Sequence, residues 1–271
     1  MVYVLKKNNF AFCCNTFILW ALFSLLAIAV TAQINKIDTD RPDQTESPYT
    51  VPKKWVQIEA GLIIEKQNLY FTNFTIPTVL TKYGISKKTE LRLITELSGN
   101  NSKLYVTNST EISTPLQLGF KTSLWEEKGV LPKTSIIFHS ALQHIIQYGQ
   151  ISVTSFNEIA VNYRFTFQNT LSKKISLGYN LGMEWERLKE APAYVYTIAA
   201  GFDVNEKWYA YVESFGSVRK YEKPENSFDV GLARFLNSNI KIDISGGIGL
   251  SKDAPDKYFA IGASFRFKAG K

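Results

Sequence analysis

From Trp55 onward the chain alternates apolar and polar residues one by one. In the stretch 175–186 the odd positions, Ile175, Leu177, Tyr179, Leu181, Met183 and Trp185, are apolar, and the even positions, Ser176, Gly178, Asn180, Gly182, Glu184 and Glu186, are small or polar. A period of two places successive side chains on opposite faces of an extended strand, whereas a helix requires a period near 3.6. The same alternation sets Val56, Ile58, Ala60, Leu62 and Ile64 against Gln57, Glu59, Gly61 and Glu65. It returns in 158–168, 240–250 and 259–267.

Four short punctuating segments share one chemistry: Ile85-Ser-Lys-Lys88, Leu171-Ser-Lys-Lys174, Val204-Asn-Glu-Lys207 and Leu236-Asn-Ser-Asn239. A fifth, 126–132, is slightly longer. Between them lie more polar or aromatic connections near 66–76, 98–110, 145–155, 187–192, 218–226 and 251–256. Short and long connections alternate strictly, so all tight turns fall at one end. The pattern predicts twelve strands, at 55–65, 77–85, 89–98, 111–124, 133–144, 156–168, 174–186, 193–204, 207–216, 227–235, 239–250 and 257–267. The second, fifth and ninth alternate poorly, which leaves their boundaries soft.

Strands of soluble proteins are mostly about 5–6 residues, whereas membrane-spanning strands need about 9–11. An even strand number, an apolar face along whole strands, tight turns at one end and longer loops at the other describe an all-β fold. That fold is a single antiparallel transmembrane β-barrel of about twelve strands with short periplasmic turns and longer extracellular loops. A barrel must close, because an open edge in lipid leaves backbone groups without partners. Trp125, Trp185, Tyr194, Trp208, Tyr209, Tyr258 and Phe267 lie near strand ends, as interfacial aromatics do. A soluble twelve-stranded sandwich or barrel in the periplasm is the competing architecture.

The first 32 residues read differently. Lys6 and Lys7 precede an apolar run from Phe17 to Val30, which ends in Val30-Thr31-Ala32 before Gln33. Positive flank, apolar core and small-residue cleavage pattern together predict a secretory signal peptide over 1–32, against an uncleaved anchor helix. The expected organisation is a signal peptide at 1–32, a periplasmic N-terminal segment at 33–54 and an outer-membrane barrel at 55–268.

Composition then excludes several classes. The whole chain of 271 residues is 45% hydrophobic and 14% aromatic, which is incompatible with disorder. Both cysteines, Cys13 and Cys14, lie in the predicted signal peptide, so the mature chain has no disulfide. Loss of Lys6 and Lys7 lowers the formal charge from +7 to +5. The basic residues are dispersed, and export makes nucleic acid an unsuitable ligand.

The segment from Asp38 to Gly61 carries a Thr39-Asp-Arg-Pro-Asp43 core, Ser47-Pro48 and Val51-Pro52 steps and a Gln57-Ile-Glu-Ala-Gly61 strand start. It resembles the N-terminal signature of a family of outer-membrane transporters named for the meta-pathway of phenol degradation. Tyr83–Leu93 is similar to that family's second hairpin. The resemblance implies a membrane barrel and a role in uptake of small aromatic or hydrophobic compounds; it brings no catalytic set. Gly262-Ala-Ser-Phe-Arg-Phe267 also resembles the terminal signal read by the barrel-assembly machinery, departing from it at Ala260 and in the four residues after Phe267. The partners expected are thus outer-membrane lipid, that machinery and a small-molecule solute, with no cofactor and no metal.

Two groups of residues are candidates for function. Glu59, Glu90, Arg92, Glu96, Lys121, Glu158, Arg164, Glu184, Glu186, Lys241, Asp243 and Arg266 fall, with Glu65, on the inward face. Acids and bases are mixed, so they do not form a selectivity ring of one sign. They line either a polar permeation path or an ion-pair network that fills the lumen, since twelve strands lie between filled eight-stranded barrels and open porins. Asp40, Arg41, Pro42, Asp43 and Glu46 form a proline-stiffened segment before the first strand. It either folds into the barrel mouth, with Arg41 on a lumenal carboxylate, or trails in solvent.

His139 and His144 are five apart in one strand and face apart, which disfavours a shared metal. His139 and Ser140 are adjacent and face apart too, unlike the pair that an outer-membrane phospholipase needs on one face. Three functions remain: a passive or gated channel, a structural or surface-interaction barrel, and, least favoured, a lipid-modifying enzyme.

Overall fold

The computed structural model describes residues 36–103, 108–148, 153–187 and 189–270. The predicted signal peptide lies outside them. The described chain contains twelve strands: β1 (Trp55–Lys66), β2 (Phe71–Gly84), β3 (Thr89–Lys103), β4 (Asn108–Trp125), β5 (Lys133–Tyr148), β6 (Val153–Thr170), β7 (Ile175–Glu186), β8 (Ala193–Asp203), β9 (Trp208–Arg219), β10 (Glu225–Asn237), β11 (Ile240–Gly249) and β12 (Lys257–Lys268). Each pairs antiparallel with its sequence neighbours, and β12 pairs with β1 from Trp55↔Lys268 to Lys66↔Lys257. The result is a closed transmembrane β-barrel without a free edge.

The hydropathy pattern dictates which face is which. Leu118, Leu142, Leu181, Ile198, Val230, Ile244 and Ile261 point outward and stay exposed. On the same strands or their neighbours, Lys121, Thr166, Asn180, Glu213, Asp229, Asp243 and Ser264 are buried. A soluble fold inverts that arrangement; a barrel in lipid requires it.

The strands run into several stretches that the sequence suggested were loops. β2 starts at Phe71, β3 reaches Lys103, β5 reaches Tyr148, and β4 and β6 are each 18 residues long. Polar runs such as Ser98-Gly-Asn-Asn-Ser102 do not break a ladder when a partner strand continues to satisfy the backbone, and Ser98–Ser102 stay paired with Ser109–Ser113. β3 to β6 therefore extend past the length that a bilayer needs, about 9–11 residues. Two aromatics assigned to the membrane edge face the lumen instead. Tyr258 bonds Asp229, and Tyr209 lies beneath the Lys241 ammonium at 5.8 Å. Their parity, shared with Tyr211, Glu213 and Ala260, places them inside; proximity to a strand end does not settle the face.

Candidate functional site

The inward face of β1 to β4 concentrates cations. Cross-strand register sets Gln57 beside Lys82, Lys82 beside Arg92, and Glu90 beside Lys121. Side chains in one such row cannot avoid one another, and all five are buried. Burying this many charges is unfavourable unless each is paired. The missing counter-charge comes from the segment before β1.

Residues 36–54 run through the lumen. Asp40 lies where the three cations converge: its carboxylate is 2.5 Å from Lys82 Nζ, 2.8 Å from Arg92 Nη1 and 2.8 Å from Lys121 Nζ. Burial alone pushes the Asp40 carboxyl upward, but Lys121, Lys82 and Arg92 together outweigh it and hold it well below the usual carboxylate range. Glu59 accepts from the backbone N–H of Asp40 and of Arg41, at 3.0 and 3.1 Å. Glu90 accepts from the Val51 N–H at 2.6 Å, and Ser135 donates to the Pro48 carbonyl at 2.5 Å. Lys121 also donates to the Ser47 carbonyl at 2.8 Å.

Arg41 crosses to the seam where β1 meets β12. Its guanidinium lies against Gly61 and Gly262, which face each other across that seam, and reaches Asp243 on β11 at 3.1 Å. A Cβ at either glycine would stand 2.3 Å from the guanidinium, so the slot exists only because both side chains are absent. Lys241 donates to the Arg41 carbonyl at 2.7 Å. The Arg41–Pro42 peptide is cis.

Beyond Pro42 the segment reaches the opposite wall. The Gln44 N–H donates to Glu213 at 2.7 Å, and the Thr45 hydroxyl donates to the same carboxyl at 2.5 Å and meets Thr197 at 2.6 Å. Asn180 and Glu46 exchange two bonds, N–H to Oδ1 at 2.7 Å and Nδ2 to carbonyl at 3.0 Å. The Glu46 carboxylate turns back to Arg92 at 2.7 Å; burial raises its pKa, but Arg92 and Arg164 more than compensate and lower it. Asp43 has the reverse balance. Burial raises it, Lys241 only partly offsets that, and Asp229 and Asp40 add to the rise, so its carboxyl is pushed up to about 8.

The remaining candidates fall into three settings. Glu96 accepts from Thr78 at 3.0 Å, and Arg164 pairs with Glu184 at 2.9 Å, on the long-loop side of the segment. Glu186 pairs with Arg219 at 2.9 Å near the long-loop mouth, and Arg266 donates to Asn239 at 3.1 Å near the tight turns. Glu158 is buried on the inward face of β6.

Several lumenal residues were not among the candidates drawn from the sequence: Lys82, His139, Asn180, Thr197, Glu213 and Asp229. His139 accepts from Arg92 Nε at 3.0 Å across Gly119, where a Cβ would stand 2.4 Å from the imidazole. Asp229 gathers the hydroxyls of Tyr211, at 3.1 Å, and Tyr258. Ser140, next to His139, points outward, so the two do not share a face.

Two cavities flank the segment. The one on the tight-turn side measures about 380 Å³ and is bounded by Lys36, Asp38, Ser172, Tyr209 and Phe235. The one on the long-loop side measures about 400 Å³ and is bounded by Glu65, Phe74, Arg164, Phe215 and Tyr258. Gln44 borders the second and Arg41 the first.

An N-terminal strap that begins at Thr39-Asp-Arg-Pro and is held by the wall of a closed barrel is also what the sequence comparison picks out. The profile of the protein family described as "Putative MetA-pathway of phenol degradation" matches residues 39–267, strap and barrel together. The chain belongs to this family. No curated protein matches this family member in sequence. Among solved structures, it is similar to the outer membrane channel from Pseudomonas putida F1, at 11% identity and a TM-score of 0.55, over 81% of this chain and 97% of that one. The transport unit of the autotransporter AIDA-I from Escherichia coli gives 9% and 0.55, over 89% and 97%. The translocator domain of the autotransporter NalP from Neisseria meningitidis gives 9% and 0.56, over 79% and 87%. At such identities the likeness is one of fold.

Proposed function

We propose that this family member is a gated outer-membrane channel for small molecules, with residues 36–54 as the gate. The observation that carries the reading is that the segment's polar groups bond lumenal residues of β1 to β5, β7 to β9 and β11 while cavities remain on both sides. A permanently open pore has no use for such a strap, and a solid structural barrel has no use for the cavities. The long-loop cavity combines Phe74, Phe215 and Ile248 with Arg164, Glu184 and Tyr196. That lining suits a small aromatic or hydrophobic solute bearing a polar group, in keeping with the family's description.

Planar-bilayer recording on the mature chain with and without residues 36–50 tests the proposal. Deletion is expected to raise conductance severalfold and to allow swelling of liposomes in small solutes. Unchanged conductance in a correctly assembled deletion variant would falsify the gate. The extended β3 to β6 ladder then favours the second reading, a barrel whose projecting polar strands contact something outside the cell.

A further inference from the structure

We propose that the tight-turn rim is a docking collar for the headgroups of anionic glycerophospholipids. Four of its turns open on an apolar residue that keeps the outward parity of the preceding strand: Ile85, Leu171, Val204 and Leu236, exposed by 43%, 60%, 53% and 54%. Each is followed by a Ser or Asn that fixes the turn. Ser86 Oγ accepts from the N–H of Lys88 and Thr89 at 3.1 and 3.0 Å, and Asn205 Oδ1 accepts from Lys207 and Trp208 at 2.8 and 3.1 Å. Three of the four turns therefore hold an apolar group on the lipid side and a cation beside it in one fixed order.

Lys87, Lys88, Lys128, Lys173, Lys174 and Lys207 are exposed, and among the described residues none of them is in an ion pair. Two rim acids are already engaged, Glu126 by Lys133 at 2.5 Å and Glu127 by the Thr170 N–H and hydroxyl at 2.6 and 2.7 Å. Among the described residues, exposed Asp38, Asp203 and Glu206 remain to face the lysines. The β10–β11 turn lacks a lysine, but Arg234, on the outward face, stacks on Trp208 at 5.4 Å and brings a cation to the same level. Lys53, Lys54 and Lys268 close the ring where β1 meets β12, held together by Ala269 N–H to the Lys54 carbonyl at 2.7 Å. At the other end the cations stand among acids: Arg219 pairs with Glu186 at 2.9 Å and Lys189 with Glu222 at 3.9 Å, and Lys220, Lys223, Lys252 and Lys257 share the rim with exposed Glu190, Glu225, Asp253 and Asp256.

Unpaired ammonium groups set beside apolar residues at the edge of the hydrocarbon attract a negatively charged lipid surface. An acidic protein would need the cations on one side of the barrel. Here they encircle it, which commits the collar to lipid.

Native mass spectrometry of the mature chain in micelles with equimolar phosphatidylglycerol and phosphatidylcholine tests this. At low salt the protein should retain the anionic lipid in about tenfold preference, and the preference should collapse in high salt as the ammonium groups are screened. K87Q/K88Q/K173Q/K174Q should cut it at least about threefold, whereas K189Q/K220Q/K223Q/K252Q at the other end should not. Equal retention of the two lipids, a preference that survives high salt, or equal losses in the two variants overturns the proposal. Should the first variant fail to assemble, the salt series on the unaltered protein decides alone.

Discussion

The gate reading makes its sharpest demand at Asp40. Asp40→Asn keeps the shape of the side chain and removes its charge. The carboxylate is 7% exposed and touches three cations, each within 2.8 Å. After the change Lys82 retains Glu59 at 2.5 Å and Arg92 retains Glu46 at 2.7 Å, but Lys121 is left with Glu90 at 4.0 Å. The amide also turns a donor toward cations that can only donate. Breaking a buried pair by removing one partner costs about 3–5 kcal/mol, and the surviving carboxylates place this case near 3. At about 1.4 kcal/mol per tenfold, the released population of the segment should rise by roughly a hundredfold or more.

Both cysteines lie in the first 32 residues, so in a chain that begins at Gln33 a single thiol reports cleanly. Ile37→Cys replaces a side chain that is 2% exposed in the docked segment. Its labelling rate by a bulky membrane-impermeant maleimide measures the undocked population, because opening is sampled before reaction. The Asp40→Asn change should accelerate labelling by about two orders of magnitude while leaving a control thiol at exposed Ser172 unaffected. Acceleration of less than about threefold would show that the Asp40 cluster does not hold the segment in place.

Further consequences follow from neighbouring contacts. Gly262→Ala puts a methyl 2.3 Å from the Arg41 guanidinium; it should cost about 1–3 kcal/mol of docking in the same assay, and add almost nothing in an Arg41→Ala background. Asp43 titrates near 8 when docked and near its ordinary value, about 4, when released, so the docked state holds the extra proton between those limits. Docking of residues 43–45 should therefore weaken as pH rises from 4 to about 8; labelling of Thr45→Cys, a position 6% exposed when docked, corrected by the Ser172 control, should show this slope and lose most of it in Asp43→Asn. On the lipid face, Val230→Arg at mid-strand should cost about 2–4 kcal/mol, and Leu236→Arg at the rim about 0–1, read as the temperature at which the heat-dependent gel shift occurs.

The barrel was legible because its code is local. A strand such as Ile175–Glu186 announces its two faces residue by residue, and tight turns punctuate the ladder. Three of the missed lumenal residues, Lys82, His139 and Glu213, lie on the strands that alternated poorly. In β5 the inward row Ile137, His139, Ala141 and Ile145 is largely apolar, because the segment's Pro48 and the Arg92 side chain fill the space that water would otherwise occupy. In β9 the inward row contains Tyr209, Tyr211 and Glu213, which packs aromatics where a water-filled lumen would show polar residues. In β2, Lys82 sits among Thr78-Val-Leu-Thr81, which does not separate two faces. Inward apolar residues are the trace of a filled lumen, and period-two reading discards them as noise. Which partner Asp40 or Arg41 would take depends on register between distant strands, which one sequence does not encode locally.

The segment is held in two different ways on its two sides, and that difference follows from charge alone. Toward β2 to β4 it offers Asp40 and Glu46 to Lys82, Arg92 and Lys121, contacts that strengthen as water is excluded. Toward β8 to β10 it offers Asp43, Gln44 and Thr45 to a wall bearing Thr197, Glu213 and Asp229, where acids meet acids and a proton must be retained. The first side resists release at any pH above the acid range; the second gives way when that proton is lost. If the segment is the gate, it opens by bowing, with Asp40 and the Glu46 carboxylate still anchored on β2 to β4 while residues 43–45 leave the β8–β10 wall. The passage that forms first therefore runs beside Glu213 and Asp229, between the two cavities that already border Gln44 and Asp43. Full withdrawal of the strap from the barrel is then unnecessary for a small solute to pass.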